Sequence, residues 1–364
     1  MYLTKEEERI LDGEEGELKA RLLEVLVRLG ETFGAERLVR PASVHVSGVS
    51  YKTIGDAGLR FLRRVAEEGL RVVVPTSVNP CGICLEGNLE VDEGFERRQR
   101  EILEALESLG AAPVYTCAPY QQGFQPSPGD VLAWGESSAV FVANTWFGAR
   151  ANREGAPATV AAAVTGRVPE YGLHLAENRV AEYEVVVEFE PRGDFEWSAL
   201  GYWLGEAVDG IPVLRLPVRP SLSNVKYLGA AAAASGALAM AYIPGVTPGE
   251  PRVDDPERVE VGREDVFDLV ESRFGAEREG LAFTGCPHRV DGEAFRFRGC
   301  DCHVCCPANA VFEGRVLRGT CPVVAPIEEV CDAVYTDSLK AAHYLASRVE
   351  VNVGPLGPEN HKSG

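Results

Sequence analysis

Basic residues are scarce in this 364-residue chain. Lysine occurs six times, and 36 lysines and arginines face 55 acidic residues, which gives a formal net charge of −19 at pH 7. Nucleic acids and anionic membranes bind to basic surfaces, so we expect neither as a partner. A small anionic substrate is compatible with this charge, because backbone amides and a few cations can bind an anion locally.

Long apolar runs are also missing. The N-terminus is charged from its first residues and has no apolar signal core, so we expect a cytoplasmic protein. No run approaches the roughly 20 apolar residues of a membrane span. The longest candidate, residues 228–243, is rich in alanine and interrupted by Gly229, Ser235 and Gly236, which favours a buried helix, predicted over 224–242.

The chain is long enough for more than one core. With 364 residues and 45% hydrophobic residues, it is expected to form two or three lobes. A stretch rich in proline and acid, 248–255, is predicted to be a linker. The predicted domains are an N-terminal α/β lobe (1–180), a middle α/β segment with the alanine-rich helix (181–250) and a C-terminal α/β lobe (251–364).

Strand, loop and helix patterns alternate along the first lobe. This alternation predicts an α/β fold with mainly parallel sheets, whose ligands bind at the carboxyl ends of strands. The predicted strands are 38–47, 71–75, a segment leading to Cys117, and 139–143. Polar or thiol side chains follow the predicted strands at Ser47–Ser50, Asn79, Cys117 and Glu136–Ser138.

Two turns after predicted strands are candidate anion sites. Gly48, Val49 and Ser50 follow Ser47, and a glycine there allows backbone amides to converge on an anion. The alternative is an ordinary turn. Asn79 and Pro80 form a second turn, where the asparagine either donates to a substrate oxygen or organises its own turn.

Charged and hydroxyl side chains supply the candidate catalytic groups. Glu136 and Ser137 lie at a predicted strand boundary, where a carboxylate can act as an acid or base; the alternative is a solvated loop glutamate. Lys340 lies at a predicted strand-to-helix junction, where a cation can meet a substrate anion; a surface lysine is the usual alternative.

Ten cysteines favour metal or redox chemistry over a secreted disulfide scaffold. Cys117, Cys286 and Cys321 each lie near a proline in a predicted loop, where a stiff backbone can aim a thiolate at a metal. Three such thiolates would hold three irons of a cubane cluster and leave the fourth open for substrate. Their spacing matches no ferredoxin motif, and three buried, inert thiols are the alternative.

The other thiols leave further readings open. Cys81 and Cys84 form a Cys-x-x-Cys pair, which is typical of a metal or redox pair, although no second pair lies nearby. The run Cys300-Asp-Cys302-His303-Val-Cys305-Cys306 suits zinc or an accessory cluster, although its spacing is not a standard zinc motif.

Seven segments together resemble the aconitase X family. They follow the family order across most of the chain and are jointly specific. They are Ser47-Gly-Val-Ser-Tyr-Lys-Thr-Ile-Gly-Asp-Ala-Gly58, Thr116-Cys-Ala-Pro-Tyr120, Ala133-Trp-Gly-Glu-Ser-Ser-Ala139, Gly148-Ala-Arg-Ala-Asn-Arg-Glu-Gly155, Gly285-Cys-Pro-His288, Cys321-Pro-Val-Val-Ala-Pro326 and Lys340-Ala-Ala-His-Tyr344.

The resemblance implies an aconitase-like fold of several α/β/α lobes and a hydro-lyase activity. It implies a 4Fe-4S cluster on Cys117, Cys286 and Cys321. The implied substrate contacts are Gly48, Val49, Ser50, Asn79, Pro80, Glu136, Ser137 and Lys340, of which Glu136, Ser137 and Lys340 are the implied catalytic residues.

The family divides into two groups that differ in chain organisation. Fused members resemble cis-3-hydroxy-L-proline dehydratases. Split members resemble archaeal phosphomevalonate dehydratases, in which a large subunit pairs with a small swivelling subunit. The chain is expected to lack the additional domain of about 130–150 residues, a typical domain size, which favours the split form.

For the split form, the resemblance implies dehydration of (R)-5-phosphomevalonate to trans-anhydromevalonate 5-phosphate in the archaeal mevalonate pathway. The general base is not evident in this sequence; the analogy with aconitase implies a serine of the small subunit, and this chain alone is then expected to be inactive. One alternative keeps the same chemistry with cis-3-hydroxy-L-proline as substrate. Another is a metal-binding subunit without turnover that uses Cys300–Cys306.

Overall fold

The structure is a computed structural model. It describes residues 1–79, 81–83, 92–274, 281–284, 294–297, 300–303, 309–312, 315–317 and 333–354. Within these residues, no helix is both long enough and apolar enough to cross a membrane.

Helices and strands alternate along most of the described chain. The α-helices are α1 (Lys5–Leu11), α2 (Glu17–Thr32), α3 (Tyr51–Glu67), α4 (Glu93–Ser108), α5 (Ser137–Thr145), α6 (Ala156–Thr165), α7 (Gly193–Ala207), α8 (Leu222–Ser235), α9 (Arg263–Arg273) and α10 (Leu339–Leu345). The strands are β1 (Leu38–Val39), β2 (Ser43–Ser47), β3 (Thr76–Asn79), β4 (Val131–Trp134), β5 (Arg150–Ala151), β6 (Val168–Pro169), β7 (Val180–Val187), β8 (Pro212–Arg215), β9 (Arg252–Val261), β10 (Leu281–Thr284), β11 (Ala294–Phe297), β12 (Cys300–His303), β13 (Asn309–Phe312), β14 (Arg315–Leu317), β15 (Ala333–Thr336) and β16 (Glu350–Val353).

The first sheet has the strand order β3-β2-β4-β5, and all its neighbours are parallel. Its two faces pack on different helices, because successive side chains of a strand point to opposite sides. Val44 and Val46 of β2 pack in the core formed with α3, α4 and α6. Leu132 and Trp134 of β4 face the larger core that includes α5, α7 and α8. The sheet therefore lies between two helical layers.

The second sheet has the order β8-β7-β9 and is also parallel. Helices α7 and α8 contact each other closely at two glycines of α7, Gly201 and Gly205. A Cβ at Gly201 would overlap the carbonyl oxygen of Leu228, and one at Gly205 would overlap the Ser235 hydroxyl. These glycines are required because the helix backbones approach more closely than any side chain would permit.

The third sheet has the order β14-β13-β10-β15-β16. Its β10, β15 and β16 are parallel, whereas β13 pairs antiparallel with β10 and β14. Helix α10 follows β15 and joins the main core through Leu339, Ala342 and Leu345. The predicted α/β fold with mainly parallel sheets is confirmed.

Several predicted elements are wrong in position or type. Residues 71–75 do not form a strand; the strand begins at Thr76, after Pro75, which has no amide to donate to a ladder. The segment before Cys117 is a loop with one isolated bridge, between Ser77 and Ala112. Residues 139–143 belong to helix α5, since a short apolar run fits a buried helix as well as a buried strand.

Two predicted boundaries in the middle of the chain also shift. The alanine-rich helix α8 ends at Ser235 rather than continuing to Tyr242, and Gly236 is its C-cap. Strand β9 begins at Arg252, inside the predicted linker, and pairs with β7.

Candidate active site

Three parallel strands deliver polar side chains to one point at the carboxyl edge of the first sheet. Strands β2 and β3 end at Ser47 and Asn79, which are paired in register. Glu136 follows β4 on the other side of β2. The Ser47 hydroxyl donates to Glu136 Oε2 at 3.2 Å, and the Asn79 amide donates to the same oxygen at 2.8 Å.

The position of Glu136 is fixed by helix α5, for which it is the N-cap residue. Its Oε1 accepts from the Ser138 hydroxyl at 2.9 Å and from the Ser138 amide at 3.4 Å. A carboxylate at this point is stabilised by the amides of the first helical turn. Ser137, the first residue of the helix, is buried beside it.

Lys340 reaches the same carboxylate from a different part of the chain. It lies in the first turn of α10, whose N-cap is Ser338, just after strand β15. Its ammonium forms a salt bridge with Glu136 Oε1 and donates to the Ser138 hydroxyl at 3.1 Å. The pair is buried, with side-chain exposures of 6% for Lys340 and 11% for Glu136.

The electrostatics of the site keep Glu136 ionised. Burial by itself would raise the pKa of Glu136, but the charge and hydrogen bond of Lys340 and the hydrogen bond from Ser138 outweigh it, and the pKa is lowered to about 2. His45 of β2 is fully buried, and burial lowers its pKa to about 4. At neutral pH the site therefore contains a carboxylate, an ammonium and a neutral imidazole.

Asn79 has one buried polar atom without a hydrogen-bond partner among the described residues. Its Nδ2 is taken by Glu136, while its buried Oδ1 has no hydrogen bond within the described part of the chain. Because a buried acceptor without a partner is costly, a ligand hydroxyl at this position would satisfy it.

The predicted anion turn connects β2 to α3. Gly48 has a φ of +78°, which favours glycine, and Val49 is buried in the core. Ser50 is fully buried and caps α3, accepting from the amide of Lys52 at 3.2 Å. The turn thus places Gly48, Val49 and Ser50 at the N-terminus of a helix, next to Ser47 of the site.

Of the three predicted cluster ligands, Cys117 lies within the described residues. The amide of Thr116 donates to the carbonyl of Val78 at 3.1 Å, which joins the loop that carries Cys117 to the end of β3. Cys117 is 3% exposed. Cys286 and Cys321 lie outside the described residues, as does Pro80, and no cluster of three metal-binding side chains occurs among those that are described.

The remaining thiols divide in the same way. Cys81 is buried. Cys300 and Cys302 lie in strand β12, which pairs with β11. Cys84, Cys305 and Cys306 lie outside the described residues, so their predicted metal or redox role stays a prediction.

Sequence reasoning missed His45, which supports the site from inside the sheet. Its Nδ1 lies 2.8 Å from the Ser77 hydroxyl of β3, and its ring contacts Trp134 edge-on. The alternation Ser43-Val-His45-Val-Ser47 contains the signal, because it places polar residues on one face of a strand. What sequence could not supply is that this face is buried.

The fold and the site define an α/β protein with a buried carboxylate–lysine pair at the carboxyl edge of its first sheet. More specifically, the chain belongs to the aconitase X family. Residues 1–177 match the family model described as the aconitase X first domain, and residues 181–271 match that of the aconitase X second domain.

Relatives from both predicted groups resemble the chain. The phosphomevalonate dehydratase large subunit of Methanothermobacter thermautotrophicus is 41% identical, over 95% of this chain and 94% of that protein. The cis-3-hydroxy-L-proline dehydratase of Pseudomonas aeruginosa is 33% identical, over 78% of this chain and 51% of that protein. The crystal structure of Thermococcus kodakaraensis aconitase X, holo-form, superimposes with a TM-score of 0.86 at 35% identity, covering 98% of both chains.

Proposed function

We propose that this chain is the large, catalytic subunit of a hydro-lyase that dehydrates (R)-5-phosphomevalonate to trans-anhydromevalonate 5-phosphate. The observation that carries the proposal is the buried constellation of Asn79, Glu136 and Lys340 at the sheet edge beside Cys117. A relative named phosphomevalonate dehydratase large subunit, matched over nearly its full length, supports this substrate over hydroxyproline.

In the reaction, a proton leaves the carbon next to the carboxylate, the bond to the tertiary hydroxyl breaks, and a carbon–carbon double bond and water form. Asn79 Oδ1 accepts a hydrogen bond from the substrate, and the Glu136 carboxylate holds the Asn79 amide in place. Ser137 lies next to Glu136. A general base works best with a pKa near the working pH. Glu136 has a pKa of about 2, so it is a poor base for removing this proton. Its carboxylate instead holds the Lys340 ammonium and the Asn79 amide in position.

Cys117 fits a ligand of an iron–sulfur cluster. It is buried, and the amide of the preceding residue, Thr116, donates to the Val78 carbonyl of β3. Cys286 and Cys321 would complete the ligand set. When bound, such a cluster supplies a Lewis acid for the tertiary hydroxyl.

A small swivelling subunit is the proposed partner. The term large subunit in the name of the Methanothermobacter relative supports a two-chain enzyme. A base donated by that partner agrees with the low basicity of Glu136. The chain without its partner is then expected to bind substrate and to lack turnover.

The test is anaerobic purification with and without a co-expressed small swivelling subunit. Water loss from phosphomevalonate, followed by NMR, should require both chains and exceed any loss from cis-3-hydroxy-L-proline. If only cis-3-hydroxy-L-proline is turned over, that compound is the substrate and phosphomevalonate is rejected. No turnover of either compound by a cluster-loaded complex would reject the hydro-lyase assignment.

A further inference from the structure

A buried glutamine lies between the two turns that contain predicted substrate contacts. Gln99 of α4 is fully buried. Its Oε1 accepts from the amide of Tyr51, the residue that follows the Gly48–Ser50 turn, at 2.7 Å. A Cβ at Gly82 would lie 3.0 Å from both Cδ and Oε1 of Gln99, so the same side chain packs against the turn after Asn79.

The nitrogen of this side-chain amide is a donor without an acceptor. Gln99 Nε2 is buried and has no hydrogen-bond partner within the described part of the chain. The orientation of the amide is fixed, because the Tyr51 N–H is a donor and requires the oxygen. A buried donor without an acceptor is costly, and a methionine would fill similar space without that cost. An acceptor supplied by a ligand would satisfy Nε2.

The Gly48–Ser50 turn contributes further donors of the same kind. The amides of Val49 and Ser50 have no hydrogen-bond acceptor among the described residues, although both residues are buried. Successive backbone amides in a turn that contains a residue with positive φ, here Gly48, bind anions. The next amide along the chain is that of Tyr51, which Gln99 holds, so Nε2 lies beside this row of amides.

The position of the turn indicates which end of the substrate it binds. Val49 packs in the core on the α3 and α4 side of the first sheet. Lys340 belongs to α10, whose Leu339 packs in the core on the other side. The turn and the Glu136–Lys340 pair thus lie at one edge of the sheet but on opposite faces. Phosphomevalonate has its reacting carbons near the carboxylate and its phosphate at the other end, so the turn suits the phosphate.

We propose that Gln99 is a binding residue for the phosphate of the substrate. Its Oε1 holds the start of α3, and its Nε2 donates to the phosphate together with the amides of Val49 and Ser50. A phosphate group has three strong acceptor oxygens, so it can satisfy these three donors at once. For the identity of the ligand this inference rests on the proposed function, and it adds a residue that the family resemblance does not imply.

The test compares two variants of Gln99 with the wild-type complex. Gln99→Met removes both polar atoms, whereas Gln99→Glu keeps an acceptor for the Tyr51 amide and replaces the donor with an acidic oxygen. The matched control is Arg97→Gln, at an exposed position of the same helix, which changes the net charge as Gln99→Glu does.

Both Gln99 variants should weaken the binding of inorganic phosphate, measured by titration calorimetry, about 10- to 100-fold, the loss expected for one hydrogen bond to a charged group. KM for phosphomevalonate should rise by a similar factor, and kcat should change less than KM. The affinity for mevalonate, which keeps the carboxylate and lacks the phosphate, should stay at the wild-type value, as should cluster absorbance. Arg97→Gln should match the wild type in every measurement.

Three outcomes would overturn the assignment and leave the hydro-lyase intact. The first is unchanged phosphate affinity and KM in both Gln99 variants, or a wild-type complex that does not bind phosphate. The second is weaker phosphate binding in Gln99→Met alone, which would reject Nε2 as a donor and leave Gln99 only to hold the turn. The third is lost mevalonate affinity with retained phosphate affinity, which would assign the turn to the carboxylate.

Failure of the proposed function gives a different result. A wild-type complex that binds phosphate through Gln99 but does not dehydrate phosphomevalonate would reject the substrate and keep the anion site. Urea unfolding checks that each variant folds. If Gln99→Met does not fold, Gln99→Glu, which keeps the hydrogen bond to Tyr51, carries the test by the same titrations.

Discussion

At the scale of residues, the buried pair of Glu136 and Lys340 combines structural and functional demands. Removing one member of a buried ion pair leaves the other charge uncompensated and costs about 3–5 kcal/mol of unfolding free energy. Glu136→Gln and Lys340→Met should each show such a loss in urea unfolding. The double variant, which buries no charge at this point, should recover most of it.

Activity should not follow stability in these variants. All three should lower kcat about 10²-fold, because the network that holds Asn79 and Lys340 in place is disturbed in each and the substrate is then misplaced. Recovery of both stability and turnover in the double variant would show that the pair is structural. Additive stability losses would contradict the direct coupling of the two charges.

Glu154 is a second buried carboxylate, at the end of β5, with a pKa shifted the other way. Its Oε2 accepts from the Tyr171 hydroxyl at 3.4 Å, while its Oε1 has no partner within the described residues. Burial raises its pKa to about 7, against the hydrogen bonds of Tyr171 and Asn152, which lower it. The folded protein therefore keeps a proton that the unfolded chain releases near pH 4.5.

This shift predicts a loss of stability with rising pH. Between pH 4.5 and about 7 the unfolded chain binds fewer protons at this site, so the unfolding free energy falls as pH rises and then levels. Glu154→Gln should remove this fall in the unfolding free energy. The unfolding free energy of the variant, measured relative to that of the wild type, should therefore rise by about 3 kcal/mol from pH 5 to pH 8. The measurement is urea unfolding at pH 5 and pH 8. The control is Glu31→Gln, at an exposed position of α2. An equal effect at both pH values would contradict it.

At the scale of elements, the close packing of α7 and α8 depends on glycine. A Cβ at Gly201 would overlap the carbonyl oxygen of Leu228, which belongs to backbone and does not move aside. Gly201→Ala should therefore separate the helices and cost about 1–3 kcal/mol of unfolding free energy. Gly155→Ala is the control, because its Cβ would lie 3.9 Å from Pro157 Cδ, an ordinary contact. Equal stabilities of the two variants would contradict the packing argument.

Elements also show where sequence patterns stop being informative. The sequence patterns at 16–34 and 95–109 predict helices, and α2 and α4, each with one apolar face, lie close to these bounds. Helix α5 is buried on all sides, so its apolar run has no polar face to reveal the helical period. Strand β3 is hard to predict for the opposite reason, because its sequence is polar although the strand is buried. Its buried polar residues are Thr76, Ser77 and Asn79.

At the scale of the whole molecule, the proposed cluster depends on cysteines that are far apart in sequence. Cys117→Ser should abolish the brown absorbance of an anaerobically purified complex, since hydroxyl oxygen is a poor substitute for a thiolate on iron. Cys302→Ser, in strand β12 outside the proposed ligand set, should leave it. Visible absorbance and iron content are the measurements. Full absorbance in Cys117→Ser would remove that residue from the ligand set.

By itself the sequence determined the class of fold, the family, and the residue types at the strand ends. These follow from local patterns: strand and helix alternation, and motifs such as Ser47-Gly48-Val49-Ser50. Only the tertiary structure decided that Lys340, some two hundred residues downstream, pairs with Glu136, and that Gln99 contacts both the start of α3 and Gly82. The physical reason is that burial and charge pairing depend on which faces of distant elements pack together, and no local pattern encodes that.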